Sequence, residues 1–182
     1  MHQDAHAPGF PSARTFDGFE LLRPIGQGGM GAVHLARDSA LDRLVAIKFI
    51  AAELSDPNAQ QRLLREARVI ARLQHPNIVA IYRTGEIEGR SYIAYEYVEG
   101  RPISALPRPQ SWLRVLRIGL GLSRGLAAAH RAGILHRDIK PANAMLAANG
   151  AVKLLDFGLA KFTEREEIEQ RQLDEWMEST SL

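Results

Sequence analysis

The chain has 182 residues, of which 46% are hydrophobic and 24% charged, and this suits one domain or two small lobes with a sizeable core. Its 23 basic and 21 acidic residues nearly cancel, which excludes the concentrated basic surface of a nucleic-acid-binding protein. The absence of cysteine excludes disulfides and cysteine metal sites, and no apolar run approaches the length of a membrane span. We therefore expect a cytoplasmic protein, while a membrane anchor beyond residue 182 of a longer parent stays compatible with this sequence.

Residues 1–16 lack the apolar core of a signal peptide and are expected to form a flexible tail. From Phe19, "FELLRPIGQGGMGAVHLARD" predicts two strands joined by a glycine-rich turn, and "RLVAIKFIA" predicts a third strand. In the third strand Val45 and Ile47 share one face, whereas Lys48 lies on the other face. Lys48 is therefore predicted to point away from the core that its neighbours enter.

The stretch "DPNAQQRLLREARVIARLQHPN" predicts a helix with Pro57 in its first turn. Leu63 and Ile70 belong to its apolar stripe, and Glu66 lies between them on the same stripe. An inward-facing carboxylate needs a cationic partner. The next stretch, "NIVAIYRTGEIEGRSYIAYEYVEG", predicts two further strands around a glycine-containing turn.

After Gly100 the pattern becomes helical in "SWLRVLRIGLGLSRGLAAAHRAG", although glycines at 119, 121 and 125 weaken it. A dense polar stretch, "HRDIKPANAML", follows, and "AVKLLDFGLAK" then predicts a short strand that leads into Asp156. Residues 162–182 are strongly charged, so they are predicted to be a solvated helix or a disordered segment.

Gly26, Gly28 and Gly31 form a G-x-G-x-x-G pattern, in which backbone amides can approach phosphate oxygens without a Cβ in the way. The pattern alone also fits an ordinary hairpin turn. A dinucleotide-binding fold needs a strand, the glycines and then a helix. Here the glycines join two predicted strands, so the dinucleotide interpretation is rejected.

Lys48 and Glu66 are complementary, because one is a lysine on the cleft face of a strand and the other an acid on the buried stripe of the next helix. An ion pair between them satisfies both charges and leaves the ammonium group ready to contact phosphate oxygens. A purely structural salt bridge remains the alternative.

Asn143 and Asp156 carry oxygen donors that suit a hard cation such as Mg²⁺. Asp138 is suited to accept a proton from a substrate hydroxyl while Lys140 neutralises a phosphoryl group. The alternatives are a simple strand-to-turn signal at Asp156 and a packed loop histidine at His136.

The ordered set GQGGMGAV, VAIK, Glu66, HRDIKPAN and DFG resembles the protein kinase family over about residues 17–161. Lys140 within HRD-x-K-x-x-N is similar to the serine/threonine branch, in the style of its bacterial members. The resemblance implies an α+β, protein-kinase-like two-lobe fold: a complete N-lobe with a five-stranded antiparallel sheet and helix C, and only the first part of the helical C-lobe. Its cofactors would be ATP and Mg²⁺, with Mn²⁺ as a substitute, and its partner a protein serine or threonine substrate.

The resemblance also implies individual roles. The catalytic set would be Asp138, Lys140, Lys48 and Glu66, and the metal ligands Asn143 and Asp156. The nucleotide-binding set would be Ile25, Gly26, Gly28, Gly31, Val33, Ala46, Lys48, Tyr95, Glu96, Val98 and Met145. Ile70, Ile81, His136 and Phe157 would stack as an internal column, and Arg137 would meet a phosphate on the activation loop. Thr163, Ser179, Thr180 and Ser181 are candidate phosphorylation sites or ordinary polar residues.

No A-P-E motif follows Asp-Phe-Gly, so the resemblance predicts an N-lobe over residues 17–98, a partial C-lobe with the catalytic loop over 99–161 and a truncated activation segment over 162–182. The helix near 111–131 is then expected to expose Leu116, Leu120 and Leu126, which a second copy or a partner would cover.

Two other functions compete with a serine/threonine protein kinase that transfers the ATP γ-phosphoryl group. One is a truncated module that binds nucleotide or a partner without efficient catalysis. The other is a small-molecule phosphotransferase, against which the VAIK and HRD-x-K-x-x-N motifs argue.

Overall fold

The computed structural model describes residues 14–28, 31–50 and 57–157, which divide into two compact units. The described part of the first unit comprises residues 14–28, 31–50, 57–60 and 80–98. The second unit comprises residues 61–79 and 99–157 of the described chain. The predicted segment over 162–182, with its candidate phosphorylation sites, lies outside these residues.

The first unit is built on one antiparallel six-stranded sheet with the order β1-β2-β3-β4-β6-β5. Its strands are β1 (Thr15–Phe16), β2 (Phe19–Gly28), β3 (Gly31–Asp38), β4 (Arg43–Phe49), β5 (Ile81–Ile87) and β6 (Arg90–Glu96). The β5–β6 turn places Glu88 and Gly89 at φ values of 49° and 73°, and two positive φ angles match the twist of a tight hairpin. Strands β2 to β6 correspond to the five strands predicted from the sequence, which are confirmed.

One face of this sheet carries the apolar core of the unit. Val45 and Ile47 are fully buried on β4, and the cluster also includes aromatic and small residues from the neighbouring strands. Its members are Phe16, Phe19, Ala36, Val45, Ile47, Phe49, Tyr92 and Ala94. Lys48 is absent from this cluster, as the alternation along β4 predicts.

The first strand of the sheet lies within residues 1–16, which were expected to form a flexible tail. Thr15–Phe16 form β1, which adds one strand to the five that were predicted. The centroids of the Phe16 and Tyr92 rings lie 5.1 Å apart. The Tyr92 hydroxyl also donates a hydrogen bond to Asp17 Oδ2 at 2.6 Å. A two-residue strand is too short to show a period-2 pattern, so the sequence predicted five strands and missed this one.

The second unit combines helices with a small antiparallel sheet. Helix α1 (Pro57–Ile70) contributes all but its first turn, and helix α2 (Trp112–Arg131) starts at Ser111, whose Oγ accepts a hydrogen bond from Arg114 N. The sheet consists of β7 (Gly100–Pro102), β8 (Ala144–Ala147) and β9 (Val152–Leu154). Only β9 was predicted. Strand β8 begins inside the polar stretch that was interpreted as a loop, and β7 contains Gly100 and Pro102, residue types that are disfavoured in strands.

Residues 61–79 group with the second unit, and the N-lobe predicted over residues 17–98, which includes them, stays a prediction. Backbone hydrogen bonds explain this grouping. Leu154 N donates to Asn77 O, and Val79 N donates to Leu154 O, each at 2.9 Å. The segment after α1 therefore pairs with β9.

Helix α2 buries a narrow face and exposes a broad apolar one. Its buried residues are Ile118, Gly121, Gly125 and Ala129. Leu116 and Leu120 are exposed as predicted, whereas Leu126 is half-buried. The partner expected to cover this face stays a prediction. Within the described residues, no helix combines the length and the hydropathy that crossing a membrane requires.

Candidate functional site

The glycine-rich segment of the first unit is a hairpin between two antiparallel strands. Gly28 pairs with Gly31, and Gly26 pairs with Val33 across β2 and β3. Gly31 has a φ of 124°, a conformation that residues with a side chain rarely adopt. Because the glycines lead into a strand rather than a helix, the rejection of a dinucleotide-binding fold is confirmed.

Lys48 lies on the sheet face opposite the aromatic core. It pairs with Val33 on β3, and Ala46 pairs with Tyr95 on β6. Directly paired residues point to the same side of an antiparallel sheet, so these four side chains share one face. Lys48 is only 7% exposed. The first unit thus gathers four predicted nucleotide-binding residues on one surface, beside Gly26.

The chain leaving β6 carries two more predicted nucleotide contacts, Glu96 and Val98. Glu96 N donates to Ala80 O at 2.8 Å, and Ala80 N donates to Glu96 Oε2 at 3.2 Å. The Glu96 N–H is therefore engaged, and the Glu96 backbone is left to accept a hydrogen bond from a nucleotide at its carbonyl oxygen. Val98 is buried, and Ile25 is exposed at an irregularity in β2.

In the second unit, Asp138 is held by two polar neighbours from its own loop. Lys140 Nζ lies 2.7 Å from Asp138 Oδ2, and Asn143 Nδ2 donates to the same oxygen at 2.7 Å. Asn143 Nδ2 also donates to Asp138 O at 2.9 Å. Both side-chain contacts suit an ionised carboxylate, and together they fix its orientation. The structure thus brings the three predicted residues into one cluster.

Asn143 also connects this cluster to Asp156. Leu155, which directly precedes Asp156, donates its N–H to Asn143 O at 2.9 Å. Because Asn143 Nδ2 is committed to Asp138, the amide oxygen faces the other way and is suited to a hard cation. Among the described residues, no three His, Cys, Asp or Glu side chains form a metal-binding group. A cation here would complete its coordination with water or phosphate oxygens, as Mg²⁺ commonly does.

His136 is a packed residue, as its structural interpretation predicted. It is 2% exposed, its Nε2 donates to Leu155 O at 2.8 Å, and its ring lies 4.6 Å from the Phe157 ring between centroids. Burial lowers the pKa of His136, because the imidazolium loses its hydration. The His136–Phe157 part of the predicted column is confirmed, whereas the parts through Ile70 and Ile81 stay predictions.

Two residues of this region adopt positive φ angles that side chains disfavour. Arg137 has a φ of 61°, and Asp156 has a φ of 32°. Such conformations cost free energy and persist where surrounding contacts over-determine them. Here the flanking residues His136, Asp138 and Leu155 supply those contacts. Arg137 is exposed, and its predicted encounter with a phosphate stays a prediction.

Two other predicted positions belong to the second unit. Glu66 is half-buried on α1 between the buried residues Leu63 and Ile70. Met145 is half-buried on β8, where it pairs with Lys153. The ion pair of Glu66 with Lys48 and the adenine contact of Met145 involve residues of the other unit, so they stay predictions.

The sequence interpretation missed Asn77, which contacts the strand that leads to Asp156. Asn77 Nδ2 donates to Val152 O at 2.8 Å. The available signal was the turn sequence His-Pro-Asn after α1, together with two glycines four residues apart on α2. Neither signal has a hydrophobic period, so periodicity did not reveal the contact.

The chain is similar to known proteins both in sequence and in fold. A family model described as protein kinase domain matches residues 19–178. A probable serine/threonine-protein kinase of Streptomyces coelicolor is 47% identical over 151 residues, and serine/threonine-protein kinase PknB of Mycobacterium tuberculosis is 44% identical over 153 residues. These matches cover 79% and 80% of this chain but only 22% and 24% of the relatives.

Solved structures give the same fold. The Mycobacterium tuberculosis PknI kinase domain superposes with a TM-score of 0.71 at 33% identity, covering 85% of this chain and 64% of that one. The chain thus spans about a quarter of the curated relatives' length and under two thirds of this kinase domain. Since the family model covers most of the chain and the fold agrees, the chain belongs to the protein kinase domain family.

Proposed function

We propose that this chain is a serine/threonine protein kinase catalytic domain that transfers the γ-phosphoryl group of ATP to serine or threonine hydroxyls of proteins. The observation that carries the proposal is the cluster of Asp138, Lys140 and Asn143, joined through Leu155 to Asp156. Relatives named serine/threonine-protein kinases, at 44–47% identity, support the acceptor class.

The first unit would supply nucleotide binding. The glycine hairpin would cover the phosphates with its backbone amides, and Lys48 would contact the α- and β-phosphates. Val33 and Ala46, on the same face as Lys48, would pack on the adenine ring with Met145, and Tyr95 would lie behind it. The Glu96 carbonyl and the Val98 backbone would bind the adenine edge. This assignment agrees with the engagement of the Glu96 N–H by Ala80.

Asn143 and Asp156 would hold Mg²⁺ through their side-chain oxygens, with Mn²⁺ as a substitute. The ion would neutralise charge on the phosphate oxygens when bound. Asp156 and Asn143 would supply one carboxylate oxygen and one amide oxygen, and water and phosphate oxygens would complete the coordination.

The transfer itself would use the residues around Asp138. Asp138 orients the substrate hydroxyl and accepts its proton as the hydroxyl oxygen bonds to the γ-phosphorus. The bond between that phosphorus and the β–γ bridging oxygen breaks, and ADP leaves with the electron pair. Lys140, 2.7 Å from Asp138, neutralises the charge of the phosphoryl group as it moves. Positioning and charge stabilisation account for the catalysis.

The test uses the 182-residue chain with a serine-containing peptide and radiolabelled ATP. We expect Asp138→Ala to reduce phosphoryl transfer by about 100-fold or more. Lys48→Met should weaken productive ATP use, and Asp156→Asn should weaken the response to Mg²⁺. Glu86→Gln, an exposed change on β5, is the matched control and should leave the rate unchanged.

The outcomes separate the competing functions. ATP-dependent stabilisation without phosphoryl transfer would indicate a nucleotide-binding module instead. Phosphorylation of a small alcohol or amino sugar, with none on protein, would indicate a small-molecule phosphotransferase. Unchanged Mg²⁺-ATP binding and autophosphorylation in both Lys48→Met and Asp156→Asn would refute the site assignment.

A further inference from the structure

Strand β9 is bonded on both of its edges. On one edge it pairs with β8, and on the other it pairs with residues 77–79. Asn77 accounts for two of the contacts on that second edge: its Nδ2 donates to Val152 O at 2.8 Å, and its carbonyl accepts from Leu154 N at 2.9 Å. One residue therefore holds both ends of this three-residue strand.

Two glycines of α2 create the space for this contact. A Cβ at Gly125 would lie 2.8 Å from Asn77 O and 2.8 Å from Leu154 Cδ1. A Cβ at Gly121 would lie 2.8 Å from Val152 Cβ and 3.3 Å from Asn77 Nδ2. Real Cβ atoms do not approach other atoms so closely, so a larger residue at either position would displace Asn77 or β9. The glycines that weaken the helical pattern thus allow Asn77 and β9 to reach the helix backbone.

Asn77 is itself held by its own turn. Its N–H donates to His75 Nδ1 at 3.1 Å, and Ile78 N donates to His75 O at 3.0 Å. The turn begins five residues after Ile70, the last residue of α1. The segment is therefore a short, hydrogen-bonded connection between the helix that carries Glu66 and β9.

Beyond β9, the next residues enter the candidate site directly. Leu155 donates to Asn143 O and accepts from His136 Nε2, and Asp156 follows at a disfavoured φ of 32°. A shift of β9 along its axis would break these contacts or move Asp156. The position of Asp156 consequently depends on what holds β9.

We propose that Asn77 is a positioning residue for Asp156: by holding β9 through Val152 and Leu154, it places the Asp156 carboxylate beside Asn143 for cation binding. The inference rests on the proposed function, since it assigns Asp156 and Asn143 to a divalent cation. Asn77 acts through β9 and touches neither nucleotide nor metal. Gly125 serves the same positioning role, because a Cβ at this position would lie only 2.8 Å from Asn77 O.

The experiment compares Asn77→Ala and Gly125→Ala with Gly119→Ala in the 182-residue chain. Gly119 lies on the same helix, and a Cβ added there would meet no atom within 4 Å. ADP affinity is measured in EDTA and across a Mg²⁺ titration. Amide hydrogen exchange is followed at Leu154 and Leu155, and phosphoryl transfer is measured over the same Mg²⁺ range.

We expect Asn77→Ala to raise the Mg²⁺ concentration for half-maximal effect by about ten-fold, as loss of a residue that orients metal ligands typically does. ADP affinity in EDTA should stay unchanged, because Asn77 bonds to β9 and to its own turn, and the residues that it contacts there are not assigned to the nucleotide. Exchange at Leu154 and Leu155 should accelerate. Gly125→Ala should reproduce all three results, whereas Gly119→Ala should resemble the wild type.

An unchanged Mg²⁺ requirement in a folded Asn77→Ala variant would overturn the proposal. Equal loss of ADP affinity with and without Mg²⁺ would also overturn it, because that result indicates general destabilisation. If the wild type binds Mg²⁺-ADP but transfers no phosphate, the proposed function fails while the binding and exchange measurements still decide the role of Asn77.

Discussion

The face that carries Lys48 and the loop that carries Asp138 are held in place by different forces. Lys48 is positioned by strand pairing and by the apolar cluster on the opposite face of its sheet, which includes Val45 and Ile47. Asp138 is positioned by polar contacts from Lys140 and Asn143 in irregular backbone. Both regions contain hydrogen bonds, but those of the sheet join regular backbone that rests on non-directional apolar packing, whereas those of the loop join side chains, whose positions they fix through distances and angles.

This difference predicts which substitutions lower stability and which lower the rate of phosphoryl transfer. A change in the sheet core should cost stability while the folded molecules keep their rate of phosphoryl transfer. A change in the loop should cost rate out of proportion to its effect on stability, because small displacements of reacting groups are costly.

Asn143→Ala should reduce phosphoryl transfer by about 100-fold or more, because it removes a proposed metal ligand and both hydrogen bonds from Nδ2 to Asp138. The measurement is the transfer rate at saturating ATP and peptide. Asn149→Ala, an exposed change in the turn between β8 and β9, is the matched control. A rate within a few-fold of the wild type would contradict the idea that polar contacts organise this loop.

Ile47→Ala should lower the free energy of unfolding by about 2–5 kcal/mol, because it empties part of a fully buried site. The transfer rate per folded molecule should stay close to wild type. Denaturant titration measures the first effect, and Leu44→Ala, an exposed change on the same strand, is the control. A large loss of transfer rate in the folded fraction would show that packing in the core also determines the position of Lys48.

His34 and His136, the buried histidines of the described residues, allow the same comparison through pH. Burial lowers the pKa of both His34 on β3 and His136 from 6.5, so each binds fewer protons in the folded state than in the unfolded state. The contribution of the neutral histidines to the free energy of unfolding should therefore be fully present above pH 6.5 and should be lost as the pH is lowered below that value. His34→Gln and His136→Gln should each remove part of this slope in denaturant titrations at several pH values.

Only His136→Gln should also lower the transfer rate, since His136 contacts Leu155 beside Asp156. Slopes that match the wild type in both variants would refute burial as the cause of the lowered pKa values. An equal rate loss in His34→Gln would remove the distinction between the two regions.

Tyr92→Phe should destabilise the first unit by about 1 kcal/mol, because it removes the hydrogen bond to Asp17 and keeps the ring. The transfer rate should not change. Thermal unfolding measures the loss, and Tyr82→Phe on the exposed surface of β5 is the control. Equal melting temperatures for Tyr92→Phe and the wild type would mean that water replaces the bond at no cost.

The two regions also differed in how well the sequence predicted them. Strands β2 to β6 followed from alternation and glycine turns, and the opposite faces of Ile47 and Lys48 followed from period 2. Residues of the loop were identified by their chemistry and by family resemblance. Their arrangement was not predicted, because Asn143 and Asp138 are joined by side-chain geometry that no periodicity encodes.

Long-range contacts explain most of the remaining misses. Asn77 and Val152 are 75 residues apart in the chain, and so are Asp17 and Tyr92. A single sequence does not pair such positions. Strand β1 was missed because two residues show no period, and because the packing of Phe16 against Phe49 and Tyr92 is a long-range contact.

Strand β1 has a practical consequence for protein production. It pairs with β2 through Thr15–Glu20 and Phe16–Phe19, so it covers the start of an edge that would otherwise present open backbone donors and acceptors. A fragment trimmed to begin at Phe19 would lose that cover and uncover aromatic surface around Tyr92. Open, apolar strand edges template association between molecules. Fragments for expression should therefore begin ahead of Arg14, and yield and solubility should fall sharply in shorter ones.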